Sequence, residues 1–363
     1  MADSWIEFEL TNRQRRCFAL EPVDPDWVKI ELKPSQYDLY DTFAYLQGNT
    51  LRKLVCVGEG LYAERSVCEA VTEDRRFLLP KKPTGKLVPL TAANALKRTP
   101  RGMELLYSGY QVSLLNRTTE QDYFRSAYSG LSFPAFSDFE EFVESWCRET
   151  DAEKQADLDA FARLLRIHQK YREGDFFRFR INRTLFGYGR ILLDYAAMRK
   201  KGIPFWDIFM GKPLCVCVYR IATERTDLSV EELAALPRLP SAMVMDNIFY
   251  YGECRIIGNL PLQPEDEDYP IHYGKSISMG DSSLCYQCGK TFLTLPGEQE
   301  LFSGFRNGQI GWQLNVRLPV LLSCIRENSN SPYWNQENAA SADLRNPKFR
   351  PQLEQVRAQF HIH

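Results

Sequence analysis

The stretch that most restricts the fold is Gly174 to Asp194, GDFFRFRINRTLFGYGRILLD. A Gly-Asp turn enters a strand carrying Phe176, Phe177 and Phe179, Asn182-Arg183 reverses the chain, and the return strand sets Gly187 and Gly189 on one face with Arg190 just beyond. Side chains alternate across a strand, so glycines two apart leave one side bare. A bare track in a strand interior predicts that a bulky ring or another backbone packs directly on it.

Strands dominate on both sides of this hairpin. In the first 135 residues, Met103 to Tyr107 and Tyr110 to Leu115 are apolar-rich runs joined by Ser108-Gly109, a tight-turn dipeptide. Leu51 to Val57 and Arg76 to Leu79 are further β-type segments. The pattern then changes. Ser137 with Glu140, and Thr150 with Glu153, have the spacing of two capping boxes and predict two consecutive helices. The second is expected to reach about Tyr171, with Leu158, Phe161, Leu164, Leu165 and His168 on one face, before Gly174 stops it. After the hairpin, Leu214 to Ile221 is apolar on both faces and predicts a central strand, and Phe249 to Ile257 predicts another. Leu193 to Lys201 and Val230 to Leu236 predict short helices, the latter capped by Ser229 with Glu232 and stopped by Pro237.

The expected fold class is α+β: two β-rich units with a helical pair between them, the C-terminal one a strongly bent, mostly antiparallel sheet with short helices. The expected divisions are a β-rich domain over 1–136, a helical connector over 137–172, a second domain over 173–328 and a polar extension over 329–363 held by Tyr333 and Trp334. At 363 residues the chain is long enough for two cores.

Composition narrows the function. Basic and acidic residues number 45 and 47, a net charge of -2, so no global field of the kind used in non-specific nucleic-acid binding exists. The chain has four histidines, His168, His272, His361 and His363, too few for a binuclear metal hydrolase. His272 could serve as a base with Asp281, but no triad is apparent around it. Cys215, Cys217, Cys285 and Cys288 could together supply four thiolates for zinc. Cys215 and Cys217 share one face of a buried strand, however, where cysteine acts as a small hydrophobe, so neither a metal nor another cofactor is expected. The opening residues show no apolar signal core and no stretch is long enough to span a bilayer, which predicts reduced thiols and a cytoplasmic setting without membrane contact.

Charge is local instead. Arg75, Arg76, Lys81, Lys82, Lys86, Lys97, Arg98 and Arg101 form a basic segment, and Asp138 to Asp159 holds nine acidic against two basic residues. Two readings are open: the segments neutralise one another, or the first contacts nucleic acid. Glu265, Asp266, Glu267 and Asp268 form an acidic loop between Pro264 and Pro270. Such loops are ordinarily solvated, and they also suit docking on a basic cleft.

Taken with PFWDIFMGKPLCVCVYRI and FYYGECRIIGNLPL, the hairpin resembles the immunity protein 26 family of bacterial polymorphic toxin systems, over about Gly174 to Cys324. The resemblance implies an antitoxin that binds a cognate toxin protein and blocks it by surface occlusion. Gly174, Asp175, Phe177, Gly187, Gly189 and Arg190 match its signature and are expected to be architectural. Candidate partner contacts are Glu265, Asp266, Glu267 and Asp268, with Trp206, Tyr250 and Tyr251 as exposed aromatics. The family shares a label with a phosphotriesterase, so a phosphoester hydrolase is the alternative, followed by a nucleic-acid-associated module using Arg75 to Arg101.

Overall fold

The computed structural model describes residues 7–33, 39–81, 83–206, 209, 211–275, 283–305, 333–335 and 343–362. It divides into two compact units, 1–167 and 168–363, and is α+β with antiparallel sheets in both.

The first unit is built on seven strands in the order β1 (Val28–Leu32), β2 (Asp41–Gln47), β3 (Thr50–Gly58), β4 (Leu61–Ala70), β7 (Arg101–Ser108), β8 (Gln111–Asn116) and β9 (Gln121–Arg125). Both faces are covered. The hairpin β5 (Arg76–Phe77) and β6 (Val88–Pro89) with α2 (Ala92–Ala95) lies on Ala44, Leu46, Leu54 and Val67. On the other face, Tyr45, Val55, Tyr62, Leu105 and Tyr107 meet α1 (Asn12–Cys17), α3 (Phe136–Glu149) and α4 (Ala152–Ala162). The alternation of strand side chains produces these two cores from the same residues' neighbours.

Phe136, Phe139, Val143 and Trp146 make the buried stripe of α3. Tyr107 stacks on Phe139 at 5.0 Å, Phe18 stacks on Trp146 at 5.3 Å, and Trp146 Nε1 donates to Cys17 O at 2.7 Å. The helical pair, read from the sequence as a connector, is therefore a wall of this core. Its caps also differ from the expected ones. Asp138 accepts from the Ala135 N–H at the start of α3, and Asp151 caps α4 through Lys154 N. Further, α4 stops at Ala162 rather than near Tyr171, because Asn116 Nδ2 takes the terminal carbonyls of Phe161 and Ala162 at 3.0 and 3.2 Å. Leu164 and Leu165 are exposed, and His168 lies beyond the helix.

The expected hairpin of β7 and β8 forms, with Gly109 and Tyr110 as its two turn residues, both at positive φ. The turn thus lies one residue later than Ser108-Gly109.

The second unit has a five-stranded sheet ordered β13 (Ala242–Met245), β12 (Pro213–Thr223), β11 (Phe186–Asp194), β10 (Asp175–Arg180), β14 (Arg255–Asn259) and a three-stranded sheet of β15 (Ile271–Lys275), β16 (Leu284–Cys288) and β17 (Thr291–Leu295). The short helices are α5 (Tyr195–Lys200), α6 (Val230–Ala234) and α7 (Asn247–Tyr250). Ser229 and Glu232 form the expected capping box of α6. The expected strand from Phe249 to Ile257 is instead α7 followed by β14, with Gly252 breaking the run at φ +76. A short apolar run does not by itself choose helix or strand.

Leu193, Tyr195, Cys215, Cys217, Met243 and Cys285 share a core between the two sheets. The far side of the small sheet is closed by the helix α8 (Arg350–Gln359), whose Val356 packs with Phe360, Tyr273 and Tyr286. The tail expected as a polar extension therefore contributes core residues. Tyr333 is buried in a short 3-10 turn, and most of the polar segment around it lies outside the described residues.

Candidate functional site: an acidic loop anchored by three arginines

The β10–β11 hairpin places Phe177 opposite Gly189 and Phe179 opposite Gly187. A Cβ on Gly187 would come 2.3 Å from the Phe179 ring, and one on Gly189 would come 2.3 Å from the Phe177 ring and 2.4 Å from Cys217 O. The rings lie across the bare track, which is why only glycine fits. At the entry turn, Gly174 has φ +85 and its missing Cβ would meet Leu260 O at 2.3 Å. Asp175 accepts from Asn259 Nδ2 and Arg172 N, both at 2.8 Å, and so ties the hairpin start to β14.

Arg190, next along β11, is buried and spans to the acidic loop. Its Nη1 lies 2.9 Å from Asp266 Oδ2, its Nη2 donates to Leu260 O and Pro261 O at 2.8 and 3.1 Å, and the guanidinium rests 4.7 Å over the Phe176 ring. Asp266 also receives Arg238 Nη1 at 2.9 Å and Gln263 N at 2.8 Å. Two residues on, Asp268 accepts from Ser241 N at 2.8 Å and from Arg345 Nη1 at 3.0 Å. Arg345 is in turn held by Asp343, at 2.7 Å from Nη2, and by the Ser241 carbonyl.

The four acidic residues therefore divide. Asp266 and Asp268 turn inward to arginines from β11, from the segment after α6 and from the C-terminal tail, whereas Glu265 and Glu267 face solvent. Pairing charges at alternate positions ties the loop to the frame and leaves the other two carboxylates outward. The loop is only partly the solvated surface that its composition suggests.

The aromatic candidates separate as well. Trp206 is buried, with its backbone N–H on Gln287 Oε1 at 2.8 Å, so its expected exposure does not hold. An apolar neighbourhood of Tyr195, Phe205 and Phe209 encloses it. Tyr250 and Tyr251 are half-buried, and the exposed His168 stacks on Tyr250 at 4.3 Å. The sequence expectation of His168 as a helix-face residue is replaced by this surface stack.

His272 is fully buried, edge-on to Phe209 at 4.7 Å, and neither ring nitrogen has a partner among the described residues. Burial, reinforced by the nearby Arg345 charge, pushes its pKa down to about 3. The imidazole is a neutral core group at physiological pH, and Asp281, its suggested companion, lies outside the described residues. Cys215 and Cys217 are buried on β12, and burial pushes both thiols up to about 12. Cys285 faces the core between the sheets, whereas Cys288 faces the α8 side of β16. The two halves of the CxxC thus point to opposite sides, and no three metal-binding side chains group together among the described residues.

In the first unit the basic segment is likewise dispersed. Arg98 is buried 3.7 Å over the Phe77 ring and pairs with Glu69, and Arg76 pairs with Asp74. No ion pair among the described residues joins this segment to Asp138–Asp159. Lys82 lies outside the described residues.

Sequence reasoning missed a buried charge cluster under α1. Glu64 is fully buried and receives Arg15 Nε at 2.8 Å, Tyr62 Oη at 2.6 Å and Lys53 Nζ. Burial lowers the Lys53 pKa and the Glu64 charge opposes it. The available signal was one charged residue, Lys53 in β3 and Glu64 in β4, among apolar inward neighbours on each strand. Tyr62 is two residues from Glu64 on the same strand, but Arg15 and Lys53 are 49 and 11 residues away, and no spacing rule connects them.

The second unit is thus an antiparallel α+β domain in which Gly174, Asp175, Phe177, Gly187, Gly189 and Arg190 are occupied in packing and anchoring. Residues 172–283 match the family model described as immunity protein 26. No curated protein and no solved structure matches the chain. The matched span includes the hairpin and the acidic loop, while Arg345, which anchors Asp268, comes from outside it. No helix among the described residues is long and apolar enough to cross a membrane.

Proposed function

We propose that this chain is a cytoplasmic immunity-like protein that binds a cognate bacterial toxin and neutralises it by occlusion. The family match over residues 172–283 carries the reading. The geometry supports it in one respect: the signature residues Asp175, Phe177, Gly189 and Arg190 hold a frame, and the frame presents Glu265 and Glu267 to solvent on a braced loop. Braced carboxylates need no reorganisation on docking and steer a basic partner electrostatically. Tyr250 and Tyr251 offer an amphipathic patch of the kind enriched at interfaces. Trp206 has no part in this surface.

Co-expression with the toxin encoded beside its gene tests the reading. Cells should survive with the chain and die without it, and the two proteins should co-elute in fixed stoichiometry. Equal killing in both cultures, with no co-elution, overturns the proposal.

A further inference from the structure

The first unit carries a separate feature, outside the matched residues and independent of toxin binding. Beside the end of α1, where α4 passes it, a groove of about 620 Å³ opens, a size common among small-molecule sites. Ala19, Leu20 and Ala162 form its apolar wall, and Arg13, Arg16 and Arg163 stand around it. The two elements are fastened together there, since Gln155 Nε2 on α4 donates to Arg16 O at 2.9 Å and to Asp159 Oδ1 at 2.8 Å.

Arginines near helix C-termini are ordinary, because the helix dipole favours a cation there. Two observations go further. None of these three has a carboxylate partner among the described residues, whereas Arg15, Arg52, Arg65, Arg98, Arg117 and Arg125 of the same unit each sit against one. They also come from two elements far apart in sequence and meet at one groove, whose single lining carboxylate is Asp159. Three like charges against one acid leave a local excess of two, which a multiply charged anion would offset.

We propose that this groove binds a small molecule carrying a chain of two or more phosphates. Guanidinium forks match phosphate oxygens in pairs, and three forks around one groove suit several phosphates better than one. The apolar wall of Leu20, Ala19 and Ala162 is placed to take an uncharged ring attached to such a chain.

Calorimetric titration of the full chain with pyrophosphate, ATP, adenosine and citrate tests this. Pyrophosphate and ATP should bind, adenosine should not, and citrate should bind at least about tenfold more weakly than pyrophosphate. ATP binding tighter than pyrophosphate assigns the wall to the base, and equal affinities assign recognition to the phosphate chain alone. Arg16→Glu and Arg163→Glu should each weaken pyrophosphate about tenfold or more, the loss expected for one charged hydrogen-bonding group. The double variant Arg75→Glu/Arg101→Glu removes exposed charges elsewhere and should change affinity less than twofold. No pyrophosphate or ATP binding, citrate binding as tightly, or an equal loss in the Arg75/Arg101 control overturns the proposal. Arg16 and Arg163 are exposed, so unchanged circular dichroism will separate lost binding from lost fold.

Discussion

Arg190 on β11 and Asp266 in the acidic loop lie 2.9 Å apart, with the guanidinium almost wholly buried. This pair joins the glycine-bearing hairpin to the loop 76 residues away. It makes the acidic cluster a part of the frame before it is a part of any surface. Replacing Arg190 by Ala removes the Asp266 pair, two carbonyl hydrogen bonds and the contact over Phe176 at once. Breaking a buried pair by deleting one partner costs about 3–5 kcal/mol, and a loss of about 3 kcal/mol is expected in urea unfolding of the second unit. A change under about 0.5 kcal/mol would show that the pair is incidental.

The acidic loop should respond unequally along its length. Glu265→Lys and Glu267→Lys should leave the unfolding midpoint within experimental error, since exposed substitutions usually move stability little. They should slow association with the cognate toxin, most clearly at low salt. Asp266→Asn should lower stability most, because it takes the carboxylate from both Arg190 and Arg238, and Asp268→Asn should lower it less, because Arg345 keeps Asp343. If all four behave alike, the inward and outward division has no energetic content.

Gly189→Ala tests the ring-over-glycine packing. Its Cβ would meet both the Phe177 ring and a backbone carbonyl, and overpacking of this kind costs about 3 kcal/mol. Gly187→Ala should cost less, because only the Phe179 ring must give way. Gly60→Ala, where a Cβ meets nothing within 4 Å, is the neutral control. Equal midpoints for the three variants in chemical denaturation would refute the packing argument.

His272 sets an acid sensitivity. Its folded pKa is about 3 against about 6.5 for an unfolded chain. Below pH 6.5 the unfolded state gains a proton that the folded state refuses until near pH 3. Stability from this group is therefore complete above about pH 6.5 and falls as pH drops, by about 1.4 kcal/mol per unit and about 2 kcal/mol by pH 5. The His272→Leu variant should lose that part of the slope. Parallel pH profiles for the two proteins between pH 7 and 5 would rule out a neutral buried imidazole.

The charge cluster under α1 offers a contrast between buried and exposed pairs. Glu64→Ala takes the carboxylate from buried Lys53, leaves Arg15 with Glu9 alone, and should destabilise the first unit by about 3–5 kcal/mol. Glu354→Ala on α8 removes an exposed i,i+4 pair with Arg350 and should cost no more than about 0.5 kcal/mol. Thermal unfolding of both variants gives the comparison, and a mild effect at Glu64 would contradict the burial of its charge.

Features that depend on neighbours in sequence were legible without coordinates. The Ser229–Glu232 box closes within one helical turn, and the Phe177–Gly189 and Phe179–Gly187 contacts lie within one hairpin, so spacing alone encoded them. The end of α4 was not legible, because an asparagine 46 residues upstream caps it. Nor was the split of the CxxC, since residues three apart take opposite faces only if the segment is a strand, and the turn-rich sequence around Cys285 did not decide that it is one.

By itself the sequence determined a β-rich α+β chain, a glycine-tracked hairpin with its family resemblance, and a shortage of histidine that disfavours metal hydrolysis. Tertiary structure decided which charges are available. Asp266, Asp268, Glu64 and Arg98 look the same in composition as Glu265, Glu267 and Arg163, yet the first group is engaged by partners inside the fold and the second faces solvent. Pairing depends on contacts across dozens of residues, and the cost of burying an unpaired charge is what enforces it.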